Sequence, residues 1–467
     1  MINFLFIYIL PPQAVSYTNY NSGIASLSAV LKQKGHHTRL LLFDSFNRKK
    51  LDSIVEQQTP DIIGYSFPSL QMGLAKKIIG YMGQRHKIPS IVGGVHATVA
   101  PLECLNVEGV LGVCVGEAET ALANFVEAHE AGLDYFNTSN FIFKQKDKVI
   151  TNPIDPLIQD IDSLPFPDRM LFDYDPNRSV LGLEFMFSRG CPLACSFCIN
   201  SYLRKLYKGK GSYVRFRSPK SVVDEIEKTI NLYNYKGALT FHDDVFTTNK
   251  AWLKEFAEKY KEKIKLPYVC NSTADRVDEE TAQYLKNSNC KEVWFGIETG
   301  FEKIRRTVLN KNIRDEDIIR AGKILNEFGI SPVSYNMLGV PGETEENIKQ
   351  LIRLNRNAGV KSVSVSFMQP FPGTKIYDEF SEINKKQRLS PSLDNLRVRS
   401  KGIGNINISN KLLYKHYFLF KQNVFGGKYL WIFNLLFNFH IFLWMRRQAQ
   451  LLPSPVKNFI RRVIMSS

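Results

Sequence analysis

Two α/β units in series, followed by a basic helical tail, are the architecture this sequence predicts, and three observations carry the expectation. Short apolar runs alternate with amphipathic stretches of helical period along the first 135 residues, the pattern of a parallel sheet wrapped by helices. The alternation restarts near residue 181 and continues to about 380, with a proline-rich stretch between the two. At 467 residues the chain is also too long for one ordinary core.

In the first unit, residues 1–135, strands are expected at 4–10, 38–43, 62–66, 90–92 and 110–113, and helices at 23–34, 50–58, 69–85 and 119–129. Such an order makes a Rossmann-like, doubly wound domain, whose ligands gather at the carboxyl ends of the strands. Those ends carry Ser66 and Ser69, then Gly93-Gly94-Val-His96, then Gly116-Glu117-Ala-Glu119. Glycine lets backbone approach a bulky flat ligand, although a glycine pair by itself also marks a tight turn. His36 and His37 read as solvent-facing turn residues. Residues 136–180 form a connecting segment, with a small hairpin at 141–144 and 148–151 and an extended, proline-stiffened run at 154–168.

The second unit, 181–380, has strand signals at 183–187, 237–242, 267–271, 291–297, 331–338 and 362–368. Helix signals at 219–233, 250–261, 278–287, 315–328 and 344–358 separate them. Six strands of this kind predict a partial (β/α)6 barrel, with its chemistry at the strands' carboxyl ends. The loop after the first strand reads Cys191-Pro-Leu-Ala-Cys195-Ser-Phe197-Cys198. Thiolates are the preferred ligands of iron in a sulfide cluster, and three of them leave one corner of a four-iron cube open. A structural zinc site would require a fourth Cys or His, and none lies close in sequence.

Other strand ends present Asp243 and Asp244, then Glu298, then Gly339, Gly342 and Glu343. Each also has a plainer role: Asp244 as a helix cap, Glu298 as a partner for lysine, and Gly339 to Glu343 as a turn ahead of a helix. Arg215, Arg217 and Arg276 are expected to face solvent, or for one of them to meet a ligand carboxylate.

The cysteine spacing, with the aromatic Phe197 just before the last thiol, resembles the signature of the radical S-adenosylmethionine (SAM) superfamily. The order of serine-rich turn, Gly-Gly-x-His-Ala and Gly-Glu-x-Glu resembles the cobalamin-binding (B12) domain that precedes many such barrels, in methyltransferases and in anaerobic cyclases. The resemblance implies a [4Fe-4S] cluster on Cys191, Cys195 and Cys198, and SAM contacts from Phe197, Asp243, Asp244, Glu298, Gly339, Gly342 and Glu343. It further implies cobalamin beside Ser66, Gly93, Gly94, His96, Gly116 and Glu117. The Asp-x-His-x-x-Gly motif of some cobalamin domains is absent, so no histidine is expected to ligate cobalt from below.

The implied reaction is homolysis of SAM to a 5'-deoxyadenosyl radical and methylation of an unactivated carbon. Oxidation, cyclisation or ring rearrangement with the same cofactors is the alternative. A methylthiotransferase fits less well, because only Cys104 and Cys114 are available in the leading domain, and a non-catalytic iron–sulfur protein fits least. The implied partners are a small-molecule or lipid-like substrate and a reductant such as flavodoxin or ferredoxin.

The formal charge of +16 is concentrated in the tail, 381–467, where fifteen Lys and Arg from Lys385 onward face a single Asp394. Nucleic acid is not expected, since no nucleic-acid-binding fold is legible. The aromatic run 428–444 is shorter than the roughly 20 apolar residues of a spanning helix and is broken by Asn434, Asn438 and His440. It is expected to lie in a membrane interface, to cover the barrel mouth, or to be a plain buried helix. Seven cysteines without paired spacing point to a reducing, cytoplasmic setting, with peripheral contact at the inner membrane face as the tail's contribution. The apolar start lacks a basic leader and reads as a strand and not a signal peptide.

Overall fold

Residues 4–7 are apolar without alternation because both faces of their strand are covered by helices, and Phe4 to Ile7 are accordingly buried on both sides. The computed structural model describes residues 1–10, 20–146, 148–379 and 408–426. The first unit runs β1 (Asn3–Ile9), α1 (Ser22–Gln33), β2 (His37–Phe43), α2 (Arg48–Gln58), β3 (Ile62–Ser66) and α3 (Met72–Arg85). It continues with β4 (Ser90–Gly93), α4 (Val95–Val99), α5 (Pro101–Leu105), β5 (Gly112–Cys114), α6 (Glu119–Glu130), β6 (Phe141–Gln145) and β7 (Lys148–Thr151).

The sheet order is β2-β1-β3-β4-β5-β6-β7, the first five strands parallel and the last two antiparallel. Strand order reverses between β1 and β3, the crevice where doubly wound folds hold ligands. The hairpin β6–β7, expected in the connecting segment, extends this sheet: Phe141 and Phe143 are buried and stack with Phe125 of α6. His36 is a correction of another kind. It is buried, not solvent-facing, and its Nδ1 accepts from the Ile2 N–H at 3.3 Å.

The second unit begins with β8 (Leu183–Phe185), β9 (Ser188–Arg189), α7 (Ile199–Leu206), β10 (Arg215–Phe216), α8 (Pro219–Tyr233), β11 (Leu239–Phe241), α9 (Lys250–Lys263) and β12 (Tyr268–Ser272). There follow α10 (Glu279–Asn287), β13 (Cys290–Glu298), α11 (Glu302–Thr307), α12 (Asp315–Glu327), β14 (Ser331–Leu338), α13 (Glu345–Asn357), β15 (Ser362–Phe367) and α14 (Asn410–Phe425). Asn249, Asp278 and Thr344 cap α9, α10 and α13, each side chain accepting a backbone N–H of the first turn.

Six strands pair in parallel in the order β8-β11-β12-β13-β14-β15, and β8 does not meet β15, so the barrel is open. Leu183 and Phe185, Leu239 and Phe241, Tyr268 and Cys270, and Val293, Phe295 and Ile297 pack in one core against the helices. Alternation then turns Glu184, Thr240, Asn271 and Trp294 to the lumen. Helix α14 covers the open flank at β15, where Phe367 lies 4.5 Å from the Tyr417 ring and Leu413 and Phe420 join the core. Among the described residues no helix is long and apolar enough to cross a membrane. The run 428–444 lies outside them.

Candidate functional site

The cysteine loop is held by a distant segment of its own domain. The Ser196 N–H donates to Leu309 O at 3.0 Å, its hydroxyl to Val308 O at 2.6 Å, and Asn310 Nδ2 to Ala194 O at 2.7 Å. Within the loop the Cys198 N–H donates to Cys195 O at 3.1 Å, and α7 starts at the next residue. Burial raises all three thiols, Cys191 to about 11 and Cys195 to about 12, the latter against partial relief from Lys311. They become thiolates when a cationic centre binds between them. No three His, Cys, Asp or Glu side chains among the described residues stand close enough to share one metal ion. In an iron–sulfur cube each thiolate takes a separate iron, so its donors stand farther apart. Three converging soft donors on one anchored loop fit such a cluster.

Asp243 is fully buried, and its Oδ1 accepts from the N–H groups of Phe187 (3.0 Å) and Ser188 (2.5 Å) and from the Ser188 hydroxyl (2.5 Å). It ties β11 to the end of β8, and burial lifts it to about 6. Asp244 turns the other way, into a cavity, where its Oδ2 accepts from Asn200 Nδ2 at 3.1 Å. The same Nδ2 lies 3.7 Å from Cys198 Sγ, and Asn200 Oδ1 accepts from the Tyr213 hydroxyl at 2.5 Å.

Glu298 closes β13 with a left-handed φ of +67°, uncommon for a residue with a side chain, and its Oε1 accepts from the buried Lys311 Nζ at 2.8 Å. Glu343 is fully buried. Its Oε2 accepts from the Gly339 N–H at 2.7 Å and its Oε1 from the Thr299 hydroxyl at 3.2 Å, and burial lifts it to about 7. Gly339 and Gly342 both have φ near +80°. Phe197 packs on the apolar cluster of Ile304, Leu309, Val340, Met368 and Ile376.

A cavity of about 540 Å³ lies between the two units, at the carboxyl ends of β3, β4 and β5. Ser66, Gly93, Gly94, Gly116 and Glu117 line it from the first unit, and Arg189, Asn200, Tyr213, Arg215 and Asp244 from the second. A Cβ added to Gly93 would meet nothing within 4 Å, whereas on Gly116, at φ +81°, it would overlap the Tyr207 hydroxyl. That hydroxyl accepts the Glu117 N–H at 2.6 Å. Gly93 alone leaves its Cβ space open, since Ser66 fills that beside Gly94, and an open backbone stretch at a doubly wound sheet's ligand crevice fits the edge of a broad flat cofactor.

Glu117 does not face the cavity as a free carboxylate: Arg215 grips both its oxygens at 2.5 and 3.1 Å, and Arg189 lies 3.4 Å away. Arg189 also pairs with the buried Glu119 at 2.5 Å. Arg215 and Arg217 are therefore buried, against the expectation of solvent-facing charge. Arg217 donates to Leu164 O and Pro165 O, and Arg276 is half-buried on Thr248 O. His96 departs from the site as well. It is fully buried with Nδ1 2.9 Å from Ser69 Oγ, and does not line the cavity. Sequence reasoning missed Arg189, Asn200, Tyr207 and Tyr213. The apolar spacing Ile199, Tyr202, Leu203, Leu206 was a legible sign of α7, which carries Asn200.

Comparison with known proteins matches residues 185–355 to the radical SAM superfamily and residues 13–126 to the B12 binding domain. An uncharacterized methyltransferase of Pyrococcus horikoshii is 26% identical over 394 residues, covering 79% of this chain and 82% of that one. The anaerobic magnesium-protoporphyrin IX monomethyl ester cyclase of Cereibacter sphaeroides is 25% identical over 400 residues, covering 78% of this chain and 63% of the enzyme. Among solved structures, the radical SAM methyltransferase TsrM of Kitasatospora setae, with cobalamin and a [4Fe-4S] cluster bound, superposes with a TM-score of 0.68 at 19% identity. The match covers 84% of this chain and 80% of that one.

Proposed function

Because the chain is a radical SAM protein with a B12-binding domain ahead of its barrel, we propose that it methylates an unactivated carbon of a small-molecule or lipid-like substrate. When bound, the reduced cluster, SAM and methylcobalamin supply the electron, the hydrogen-abstracting radical and the methyl group. Cys191, Cys195 and Cys198 hold the cluster in this reading. Asp244 and Glu298, both within electrostatic reach of Cys198, would receive the polar ends of SAM, with Glu298 kept in place by Lys311. Gly339, Gly342 and the turn tied by Glu343 admit the adenine, while Phe197 packs beside it. Ser66, Gly93, Gly94 and Gly116 form the cobalamin wall, and Glu117 acts there through its arginine partners.

The supporting observation is that a single cavity is lined from both units, with Asn200 reaching from it to Cys198. A methyl donor and a carbon radical must share one enclosed space for transfer to compete with quenching by solvent. Anaerobic protein should contain iron, sulfide and cobalt, and turnover should yield 5'-deoxyadenosine and S-adenosylhomocysteine together with a methylated product. The second reading, oxidation or cyclisation, is favoured by the similarity to the anaerobic cyclase. It predicts 5'-deoxyadenosine alone and a product without methyl gain, an outcome that overturns methylation.

A further inference from the structure

We infer that the barrel lumen carries a substrate-recognition site centred on His242 and Glu184, which takes a ring-bearing substrate through a hydroxyl or N–H donor. The inference rests on the reading above that the chain acts on a small-molecule substrate. His242 follows β11 on the lumen-facing side, and its Nε2 lies 2.6 Å from Glu184 Oε2. In the neutral imidazole the carboxylate takes the Nε2–H, which leaves Nδ1 as the acceptor. Among the described residues Nδ1 makes no hydrogen bond, and the side chain is 38% exposed although its partner is only 9% exposed. Glu184 Oε1 is buried without a partner. A pair serving only to fill the barrel would not leave an orphaned carboxylate oxygen and an open acceptor on the same dyad.

The neighbouring lumen positions set the shape of the ligand. Trp294 and Tyr335 meet edge to face at 5.7 Å, and the Tyr335 hydroxyl donates to Asn271 Oδ1 at 3.3 Å. Ser364, opposite Tyr335 in the β14–β15 register, is exposed. Two half-buried aromatic faces beside an acceptor suit a flat or saturated ring carrying a donor, and they disfavour an anionic group next to Glu184.

Phenol and anisole, identical except that methylation removes the donor, test the site on anaerobically purified full-length protein by ligand-observed NMR. Phenol should bind about threefold to tenfold tighter than anisole. His242→Phe should abolish the difference, Glu184→Gln should shrink it, and Trp294→Leu should weaken both probes alike. Equal binding of the two probes to the parent protein, or an advantage that survives in His242→Phe, overturns the inference. If His242→Phe does not fold, the Glu184→Gln and Trp294→Leu pair decides alone. The assay involves no SAM cleavage, so loss of turnover with phenol discrimination intact would count against the reaction and not against this site.

Discussion

Glu343 shows how burial outweighs hydrogen bonds in setting a titration. Its folded value of about 7 lies above the ordinary carboxylate value, so the folded chain holds a proton that the unfolded chain releases. Stability from this group therefore falls as pH rises from about 4.5 through 7, and Glu343→Gln should flatten the decline in melting temperature over that window while preserving the hydrogen bonds to Gly339 and Thr299. Gly116 is a steric case. Alanine there adopts a left-handed φ and collides with the Tyr207 hydroxyl, at a cost of about 2 kcal/mol or more. Tyr207→Phe should recover part of that loss in a double-variant melting experiment, since removing the hydroxyl removes the obstacle but not the backbone strain.

At the level of elements, the end of β13 is organised by Arg305, which is fully buried on α11. Its guanidinium donates to Ile297 O, Thr299 O and Ile313 O at 2.8–3.1 Å and to Asp315 at 2.8 Å. Arg305→Met would orphan three buried carbonyls, and denaturant titration should register a loss of about 3 kcal/mol or more. Much of this layer was legible beforehand. All six barrel strands were expected from apolar runs, because helix-covered parallel strands are apolar on the side that faces the helices. The short helices α4, α5 and α11 were not, because five or six residues carry too little periodicity to separate from loop, while the eight residues of α7 carried a pattern that was overlooked. The hairpin was expected but not its attachment: pairing of Val113 with Ile142 is a long-range choice that no local pattern records.

For the whole molecule, the first unit meets the barrel through Glu117 and Glu119 on one side and Arg189 and Arg215 on the other. An Arg189→Gln, Arg215→Gln double variant leaves the buried Glu119 and the half-buried Glu117 without their cationic partners. Small-angle scattering should then show a larger radius of gyration, and melting should split into two transitions. The candidate site was legible wherever residue type alone announces chemistry, as with the three cysteines and the glycines. It was illegible where a role depends on which unit supplies the neighbour: Glu117 and Arg215 are 98 residues apart, and His96 turned toward Ser69 and not toward the cavity. The fastening of Ser196 and Ala194 onto 308–310 has a further consequence. These bonds involve no cluster atom, so the attachment of the loop to its own domain is expected to stand before metallation. Iron-free chain should keep its far-ultraviolet signature and accept iron and sulfide in vitro without a refolding step.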